Sequence, residues 1–594
     1  MKDAYKLKVL EEISKMLKID LCDLRVYYDG YEVNNGAGEL IARVLKDGYQ
    51  VFTIDRFSKF DLKEFDNADD AILYILEMSL VSKSKKEKIM NIIRNLPPIK
   101  EENKTLMTDL YELTMSDIYY HDGRKDEIAY FDVFYRSNVL ESGYQIVAGL
   151  EEAIEYIKNF HFEEEDIDYL KSTGKLTDEF IDYLKDLKFT GDIWAIPDGT
   201  PVFPNEPVMT IRAPIIEAQI LETALLTCFN TGSLTATASK RITEACNKKV
   251  VAEFGARRVR GGVDATLLTT KHAYLGGCSA TSNVLAGKKY DIPVTGTIAH
   301  ALVQSYENEY DAFLAYAKNA PDKNALVLLV DTYDVECGIL NAIRLQKEYL
   351  DPLGYRLKGI RIDSGDLVYL TKMARKMFKE ANMDYVSICV SNGLDAKQID
   401  NMFKNGAEID TFGIGDNIVA PRDRANFVYK LVAVEQNNEI IPRIKVSGDT
   451  IKTINPGYKK VHRFYDKETG KVLGDVIAMY NEEIDRENYT LVDHNNTWKK
   501  TNLSNYTVRE LQVPIFENGE LVYEVPNLKL AREYCNQEYQ TLTDRITDLY
   551  NPHTYYVDLS DKTRKLKQDM LEEEITKTTN IKKAYQKTLG EYHA

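Results

Sequence analysis

The sequence lacks the features that mark secreted, membrane-spanning and zinc-binding proteins. Its seven cysteines are dispersed over 594 residues, and none of them stand in pairs at the spacing of a zinc site. An odd, scattered set of cysteines is typical of a reducing compartment. The first residues are charged and contain no apolar signal-peptide segment, and no apolar run reaches the roughly 18 residues of a membrane span. We therefore expect a cytoplasmic protein without a membrane partner.

Basic residues are also fewer than acidic residues. The chain has 76 lysines and arginines against 93 aspartates and glutamates, which gives a net charge of −17. A diffuse acidic surface repels nucleic acid and acidic lipids, so we expect no nucleic-acid partner. A small basic pocket for an anionic ligand is compatible with this balance. Hydrophobic residues make up 44% of the chain, and a chain of this length is expected to form about two to four domains.

Changes of composition along the chain predict four segments. The first is a small α+β unit that ends at Pro97-Pro98, because proline breaks the helix before it. The second mixes helices with short strands, the third alternates strands with helices, and the fourth is mixed and ends in a Lys/Glu-rich surface helix. The predicted segments cover residues 1–98, 105–215, 216–430 and 431–594. In the first segment we predict strands at 25–33, 38–45 and 48–54 and helices at 7–17, 69–81 and 85–96.

Short apolar, β-branched runs alternate with helical patterns between residues 216 and 430. This rhythm is typical of a parallel sheet. So many runs in succession favour an α/β barrel, and an open doubly wound sheet is the alternative. The runs lie at 250–254, 290–296, 324–330, 357–362, 385–390 and 409–415.

Polar or charged residues follow each of these runs. In an α/β barrel the carboxyl ends of the strands form one rim that holds the active site. Arginines there can bind phosphate or carboxylate, aspartates can hold Mg²⁺ or accept ribose hydroxyls, and glycines let backbone N–H groups approach phosphate. The pattern therefore predicts a site for a phosphorylated sugar and magnesium. The residues at this rim include Arg257, Arg258, Thr297, His300, Asp331, Arg361, Asp363, Asp366, Asn392, Gly413, Gly415 and Asp416.

Single members of this set also have simpler interpretations. Arg258 could form a structural salt bridge as readily as it could bind a phosphate. The DSGD sequence at 363–366 is compatible with a turn followed by a helix N-cap. His300, taken alone, is best interpreted as a structural histidine. The case for a site therefore depends on the whole set.

Longer motifs resemble the nicotinate phosphoribosyltransferase family. They include TDLYELTM at 108–115, EFGARR at 253–258, PVTGTIAHALVQS at 293–305 and KGIRIDSGDL at 358–367. The resemblance covers about residues 105 to 560 and leaves residues 1–98 outside it. It implies the type II phosphoribosyltransferase fold, an irregular α/β barrel beside a mixed α+β domain. It also implies homodimers with active sites at the interface, and a transfer coupled to ATP hydrolysis through a phosphorylated histidine.

The resemblance implies roles for individual residues as well. Tyr111 of the partner subunit and Phe254 would enclose the pyridine ring. His300 would carry the phosphoryl group, while Asp331 and Asp363 would stand around the ribose and Mg²⁺. Arg361 would contact nicotinate as part of the catalytic group. The other substrate-binding residues implied by the resemblance are Arg257, Arg258, Ser282, Thr297, Asn392, Gly413 and Gly415.

One position departs from the family pattern. Many relatives carry threonine after the second glycine of the phosphate loop, where this chain has Asp416. A carboxylate that faces a phosphate is repelled by it. Either Asp416 points away and backbone amides bind the phosphate, or its carboxylate meets magnesium.

The expected activity is that of a nicotinate phosphoribosyltransferase in NAD synthesis. Nicotinate would displace pyrophosphate from phosphoribosyl pyrophosphate, with ATP as co-substrate and Mg²⁺ as cofactor. A nicotinamide phosphoribosyltransferase is the first alternative, but Ser282 stands where that enzyme would favour an aspartate. A quinolinate-decarboxylating enzyme would need more basic residues and is usually a shorter chain. A catalytically silent homologue that senses a metabolite is the third alternative. Residues 1–98 would then be its output domain, whereas on an enzyme they would be a partner-binding module.

Overall fold

The chain divides into two compact units, residues 1–103 and 104–594. The computed structural model describes residues 25–28, 39–45, 48–55, 58–65, 71–72, 74–75, 103–447, 453–493 and 498–592. Within the described part of the chain, no helix combines the length and the apolar character that crossing a membrane requires.

The first unit contains a four-stranded sheet. Its strands are β1 (Arg25–Tyr28), β2 (Glu39–Leu45), β3 (Gly48–Asp55) and β4 (Ser58–Phe65). Strand β1 runs parallel to β2, and the β2-β3 and β3-β4 pairs are antiparallel. The sequence predicted the first three strands but missed β4, because SKFDLKEF contains lysines and acidic residues that are depleted in strands.

The helices predicted for this unit lie almost entirely outside the described residues. The described pieces at 71–72 and 74–75 are helical, as the 69–81 pattern predicts. Ala71, Ile72 and Ile75 are fully buried there. These helices therefore stay predictions over most of their length.

The second unit contains 21 strands and 17 helices within the described residues. The strands are β5 (Ile128–Tyr135), β6 (Gln145–Ile146), β7 (Asp192–Ala195), β8 (Pro201–Val202), β9 (Met209–Pro214), β10 (Val250–Glu253), β11 (Ala280–Thr281), β12 (Val327–Leu329), β13 (Gly359–Ile362), β14 (Ser387–Asn392), β15 (Thr411–Ile414), β16 (Phe427–Gln436), β17 (Glu439–Pro442), β18 (Lys459–Asp466), β19 (Val472–Met479), β20 (Tyr489–Val492), β21 (Lys500–Leu503), β22 (Tyr506–Glu510), β23 (Val513–Glu517), β24 (Glu520–Leu521) and β25 (Val557–Leu559). The helices are α1 (Leu110–His121), α2 (Leu150–Lys158), α3 (Glu164–Thr173), α4 (Asp178–Leu184), α5 (Ile215–Ile220), α6 (Glu222–Ala245), α7 (Gly262–Leu275), α8 (Val284–Tyr290), α9 (His300–Gln304), α10 (Glu309–Asn319), α11 (Val335–Leu345), α12 (Leu367–Glu380), α13 (Ala396–Lys404), α14 (Asp416–Val419), α15 (Leu528–Gln540), α16 (Asp544–Thr547) and α17 (Asp561–Tyr592).

The predicted parallel sheet is present and follows the strand order of a barrel. Six parallel strands lie in the order β11-β10-β15-β14-β13-β12. Strand β10, the first in the chain, pairs with β15, the last, so the order is circular apart from one opening. The strands are short and buried, as expected of strands covered by helices on one face and by each other on the opposite face. The irregular α/β barrel expected from the sequence is confirmed as a fold, with a sheet that does not close by hydrogen bonds among the described residues.

The opening lies where the sequence predicted a strand at 290–296. That segment forms an isolated parallel bridge between Val294 and Thr281. Pro293 cannot donate to a ladder because it lacks an N–H group, although its carbonyl accepts from the Thr281 N–H at 3.0 Å. The two-residue strand β11 takes the place next to β10, and it is too short to produce a readable pattern.

The mixed domain contains a seven-stranded sheet. Its strands come from segments that precede and follow the parallel sheet in the sequence. Its order is β17-β16-β5-β9-β7-β23-β24. Strand β5, IAYFDVFY, is buried along nearly its whole length, as expected of a strand with few polar residues. The Phe131 ring of β5 stacks on Tyr429 of β16, with 4.7 Å between ring centres. The predicted Lys/Glu-rich surface helix at the end of the chain is α17.

Buried charges join the mixed domain to a second small sheet, in the order β22-β18-β19-β25. The Arg463 guanidinium is fully buried and donates to Asp475 at 2.6 and 3.0 Å and to the Pro201 carbonyl at 2.9 Å. The Tyr555 hydroxyl donates to the same carboxylate at 2.7 Å. Burial and the nearby Asp475 charge raise the pKa of the Glu206 carboxyl well above its ordinary value. Arg463 and Asp475 therefore form the close ion pair, and Glu206, 3.9 Å from Arg463, is the carboxyl whose charge burial disfavours.

Removing one partner of this ion pair is expected to destabilise the fold. Asp475→Ala leaves the Arg463 guanidinium buried without its counter-charge, which costs about 3–5 kcal/mol. Urea unfolding measures the loss as a lower midpoint. Glu380→Ala is the control, since Glu380 pairs with Lys376 at 3.9 Å on an exposed face and is expected to change stability by at most about 0.5 kcal/mol. Equal losses of stability in Asp475→Ala and Glu380→Ala would contradict the stabilising role of the Arg463–Asp475 ion pair.

Candidate active site

The Arg361 side chain connects three segments at the carboxyl edge of the parallel sheet. Arg361 lies on β13, and its Nε donates to the Ser391 Oγ on β14 at 2.8 Å. Its Nη1 donates to the Thr297 Oγ1 at 2.9 Å, and its Nη2 donates to Asp363 Oδ1 at 3.1 Å. Because each nitrogen has a partner, the guanidinium plane is fixed in one orientation. The structure therefore brings Arg361, Asp363 and Thr297 together, as the sequence predicted.

An aromatic ring lies beside this guanidinium. The Arg361 guanidinium carbon is 5.7 Å from the centre of the Phe254 ring, within the range of a cation–π contact. Phe254 follows β10, and its ring lies against Gly413 on β15. A Cβ atom at position 413 would come within 2.4 Å of two ring carbons. Glycine is therefore required at 413 to leave space for the Phe254 ring.

Asp331 and His300 lie next to the same cluster. The Asp331 Oδ2 accepts from the Asp363 N–H at 3.0 Å and from the Ser364 hydroxyl at 2.7 Å. Its Oδ1 is buried and has no hydrogen-bond partner among the described residues. The His300 Nε2 lies 4.0 Å from this Oδ1, and its Nδ1 lies 3.1 Å from the Thr332 Oγ1. His300 therefore faces a carboxylate with one nitrogen while its other nitrogen is held.

The Asp363 carboxyl is kept ionised. Burial alone would raise its pKa, but the Ser391 hydrogen bond and the Arg361 charge outweigh burial and hold the pKa below its ordinary value. The Ser391 hydroxyl donates to Asp363 Oδ1. An ionised carboxylate at this position is suited to a cation or to ribose hydroxyls.

The two aspartates fit a magnesium ion that is shared with a substrate. The described residues contain no group of three or more His, Cys, Asp or Glu side chains that could hold a metal by themselves. Magnesium is usually bound by one or two carboxylates together with phosphate oxygens and water. The unpartnered Asp331 Oδ1 and the nearby Asp363 carboxylate supply that kind of donor set.

The glycine loop after β15 packs directly on the loop after β10. A Cβ at Gly415 would lie 3.2 Å from the Gly255 Cα. The Asp416 carboxylate, next in the loop, lies 3.4 Å from the Arg258 Nε, and both side chains are more than half exposed. The structural salt bridge considered for Arg258 is therefore present, and its partner is the unusual Asp416. The Asp416 carboxylate therefore points toward the Arg258 guanidinium on the adjacent loop.

Three further residues implied by the resemblance lie exposed at this edge: Arg257, Ser282 and Asn392. The Ser282 N–H donates to the Glu253 carbonyl at 3.0 Å. Asn392 ends β14 with φ 135°, and its side-chain oxygen accepts from the Gly393 N–H at 2.7 Å. Its backbone is thus in a region that non-glycine residues rarely adopt, which is common where a functional site constrains the chain.

Tyr111 lies apart from the Arg361 cluster. It is on α1, which packs against α5, and 49% of its surface is exposed. Burial of its hydroxyl and the neighbouring Glu222 and Glu112 carboxylates raise its pKa. The hydrogen bonds that connect the cluster do not include Tyr111 within one chain.

Two residues that the sequence did not single out support the site. Ser391 bridges Arg361 and Asp363, as described above. Glu253 is 1% exposed and accepts from the Thr281 hydroxyl at 2.7 Å, the Thr270 hydroxyl at 3.3 Å and the Gly255 N–H. It thereby ties the Phe254 loop to β11 and α7. The sequence did contain a signal for Glu253, since a glutamate at the end of an apolar strand indicates a buried carboxyl with a specific role.

Comparisons with known proteins agree with this architecture. Three family models match: the nicotinate phosphoribosyltransferase N-terminal domain at residues 106–230, the nicotinate phosphoribosyltransferase family at 250–479 and its C-terminal domain at 458–567. The chain is 40% identical over 466 residues to the nicotinate phosphoribosyltransferase of Bacillus subtilis (strain 168), with 78% of this chain and 94% of that protein covered. It is 30% identical to the Mus musculus protein of the same name, with 78% and 96% covered.

Solved structures agree as well. The human nicotinic acid phosphoribosyltransferase matches with a TM-score of 0.67 and 27% identity over 78% of this chain and 99% of that one. A nicotinate-nucleotide pyrophosphorylase from Pyrococcus furiosus, at 24% identity and a TM-score of 0.58 over 75% and 98%, shares the fold. Fold and rim thus define a phosphoribosyltransferase of the type II class. Within that class, the chain belongs to the nicotinate phosphoribosyltransferase family.

The contact between Ser391 and Asp363 makes a testable prediction. Ser391→Ala removes a hydrogen bond to the ionised carboxylate, so the pKa of Asp363 should rise toward its ordinary value. An NMR titration of ¹³C-labelled aspartate carboxyls measures it, with Asp363→Asn identifying the signal. Ser387→Ala is the control. Ser387 lies on the same strand as Ser391, but its hydroxyl donates to the Lys358 carbonyl at 2.9 Å and not to Asp363. An Asp363 pKa that is unchanged in Ser391→Ala would refute the role given to Ser391.

Proposed function

We propose that this chain transfers the phosphoribosyl group of phosphoribosyl pyrophosphate to nicotinate, in NAD synthesis in the cytoplasm. The products are nicotinate mononucleotide and pyrophosphate, and ATP hydrolysis is coupled to the transfer. Membership of the family and the Arg361 cluster at the rim support this function. The observation that carries it is the combination of Arg361 with the Phe254 ring and the two aspartates.

The free hydrogens of Arg361 favour a carboxylate ligand. A guanidinium has five N–H groups, and three of them serve Ser391, Thr297 and Asp363. The two that remain are on Nη1 and Nη2, one on each nitrogen. Such a pair matches the two oxygens of a carboxylate in bidentate geometry. Nicotinate bound there would place its ring near Phe254, 5.7 Å from the guanidinium.

The reaction needs little acid–base chemistry. The pyridine nitrogen already has a lone pair, which forms the new bond to ribose C1 while the C1–O bond breaks and its electron pair leaves with pyrophosphate. The transition state resembles an oxocarbenium ion, as in glycosyl transfer. The side chains act by positioning the ring and by stabilising charge. Magnesium bound with Asp331 and Asp363 would supply positive charge to the leaving pyrophosphate.

We also propose that His300 accepts the γ-phosphoryl group of ATP. Its exposure of 39% leaves the ring accessible, while Thr332 at 3.1 Å holds Nδ1. The Asp331 carboxylate, 4.0 Å from Nε2, orients the ring and compensates positive charge on it. A phosphoryl group on His300 would add negative charge close to the magnesium donors and thereby strengthen binding of the sugar pyrophosphate through the metal.

A homodimer would complete the site. The exposed side of α1 carries Tyr111 (49% exposed) together with the apolar Leu110 (49%) and Ile118 (65%), and Met107 (49%) precedes it. Exposed apolar groups in this number favour a protein interface. Tyr111 of the partner subunit would then cover the face of the pyridine ring opposite Phe254. Residues 1–98 lie outside the family match and stay predicted as a partner-binding module.

Substrate choice tests the proposal directly. The full chain is assayed with phosphoribosyl pyrophosphate, ATP and Mg²⁺, with nicotinate or nicotinamide side by side. Losing a charge-assisted bidentate contact costs about 1.5–3 kcal/mol, so kcat/KM should favour nicotinate by at least about 10-fold. Arg361→Lys should remove most of that preference, whereas Arg344→Lys, on the exposed face of α11, should leave it intact. Turnover of nicotinamide alone would establish the alternative enzyme, and ligand binding without turnover would establish a sensor.

The histidine is tested by labelling. His300→Ala should abolish transfer of label from [γ-³²P]ATP to the protein and remove the stimulation by ATP, while a slow transfer without ATP persists. His553→Ala is the matched control, because His553 is an exposed histidine outside the rim. Phosphoenzyme that still forms in His300→Ala would show that another residue carries the phosphoryl group.

A further inference from the structure

A second polar pocket lies away from the rim. It has a volume of about 280 Å³ and is lined by residues of the C-terminal end of α6, of helix α13 and of the segment 539–549, together with Tyr144, Asn247 and Lys471. Strand β10 begins at Val250, shortly after α6 ends at Ala245, so this pocket lies toward the amino-terminal edge of the parallel sheet. The rim with Arg361 is at the opposite, carboxyl edge. The two sites share none of their described lining residues.

An arginine without a partner lines this pocket. Arg241, near the C-terminal end of α6, is 6% exposed. Among the residues that the structure describes, it takes part in no hydrogen bond and no ion pair. None of its nitrogens is buried without a partner in the described structure, so the guanidinium opens on the pocket, where a ligand can supply a counter-charge. The guanidinium fork binds carboxylate or phosphate in bidentate geometry.

The acidic residues of the pocket already have cations of their own. Glu244 pairs with Lys240 at 2.7 Å. Asp400 pairs with Lys404 at 2.7 Å and also accepts from the Tyr550 hydroxyl at 2.6 Å. These two carboxylates therefore do little to neutralise Arg241.

A second cation adds to the positive balance. The Lys471 Nζ donates to the carbonyls of Gln540 and Leu542 at 2.7 and 2.8 Å, and within the described structure it meets no carboxylate. Asp544, which is exposed, is the one acidic lining residue without such a cation among the described contacts. Two lining cations therefore lack a carboxylate partner among the described residues, against one exposed carboxylate without a cation, so positive charge is available to a ligand.

We propose that this pocket binds a small oxyanion, a phosphate or carboxylate group, with Arg241 as its principal contact. Lys471 contributes long-range attraction, and the polar side chains of Asn247 and Thr547 supply further hydrogen-bonding groups. The volume admits a group larger than a free ion, so the natural ligand is a small polar metabolite that carries the oxyanion. This site is separate from the proposed catalytic reaction.

Calorimetric titration of the full chain with inorganic phosphate and, separately, with acetate tests the site. Arg241→Gln should weaken binding of at least one anion by 10-fold or more, as expected for loss of a charge-assisted contact of about 1.5–3 kcal/mol. Arg545→Gln is the matched control, since Arg545 is exposed next to the pocket. Asp544→Asn removes the opposing charge and should strengthen binding. Loss for phosphate alone identifies a phosphate group, and loss for acetate alone identifies a carboxylate.

Two measurements separate this site from the rim. Arg361→Gln should weaken anion binding at the rim and leave the part that depends on Arg241 unchanged. Arg241→Gln should keep the wild-type kcat/KM for nicotinate in phosphate-free buffer. Anion binding that responds neither to Arg241→Gln nor to Asp544→Asn would overturn the proposal, as would the absence of binding outside the rim. If Arg241→Gln fails to fold, the result with Asp544→Asn decides.

Discussion

The site depends on one guanidinium whose three nitrogens are held by three different segments. Ser391, Thr297 and Asp363 come from β14, from the segment before α9 and from the end of β13. Because the strands deliver these groups to one edge, their side chains need no long loops to reach each other. The same geometry leaves two N–H groups of Arg361 for a ligand. One side chain thus supports the rim and, under the proposed function, also recognises the substrate.

The backbone around this side chain is adapted to an aromatic ring. Gly413 leaves space for Phe254, and Gly415 lets its loop approach Gly255 within van der Waals distance. The buried Glu253 carboxyl accepts one hydrogen bond from the Gly255 N–H of this loop and two from the Thr270 and Thr281 hydroxyls. Burial raises the pKa of the Glu253 carboxyl. Its hydrogen bonds connect the loop to α7 and β11.

Much of the fold and several site residues were predictable from the sequence because they produce local patterns. Apolar runs predicted five of the six strands of the parallel sheet, and the polar residues in or after the carboxyl ends of these runs predicted Arg361, Asp331 and Asp363 as neighbours. The contacts themselves were not predictable. Ser391 and Thr297 are 30 and 64 residues from Arg361 in the sequence, so no spacing rule connects them. The partner of Asp416 was missed for a similar reason, since Arg258 lies on a loop that the sequence places far from it.

The opening of the sheet has a mechanical consequence. Five strands, from β10 through β15 to β12, are connected by continuous ladders and form a stiff frame. In the described structure, the segment that leads to Thr297 and His300 joins the sheet through one isolated bridge, between Val294 and Thr281 of the two-residue strand β11 at the edge of this frame. Few backbone hydrogen bonds must break for such a segment to shift. His300, which we propose accepts a phosphoryl group, and the Thr297 hydroxyl that contacts Arg361 thus lie on one weakly attached segment. A shift at either residue can reach the other while the five-stranded frame stays in place.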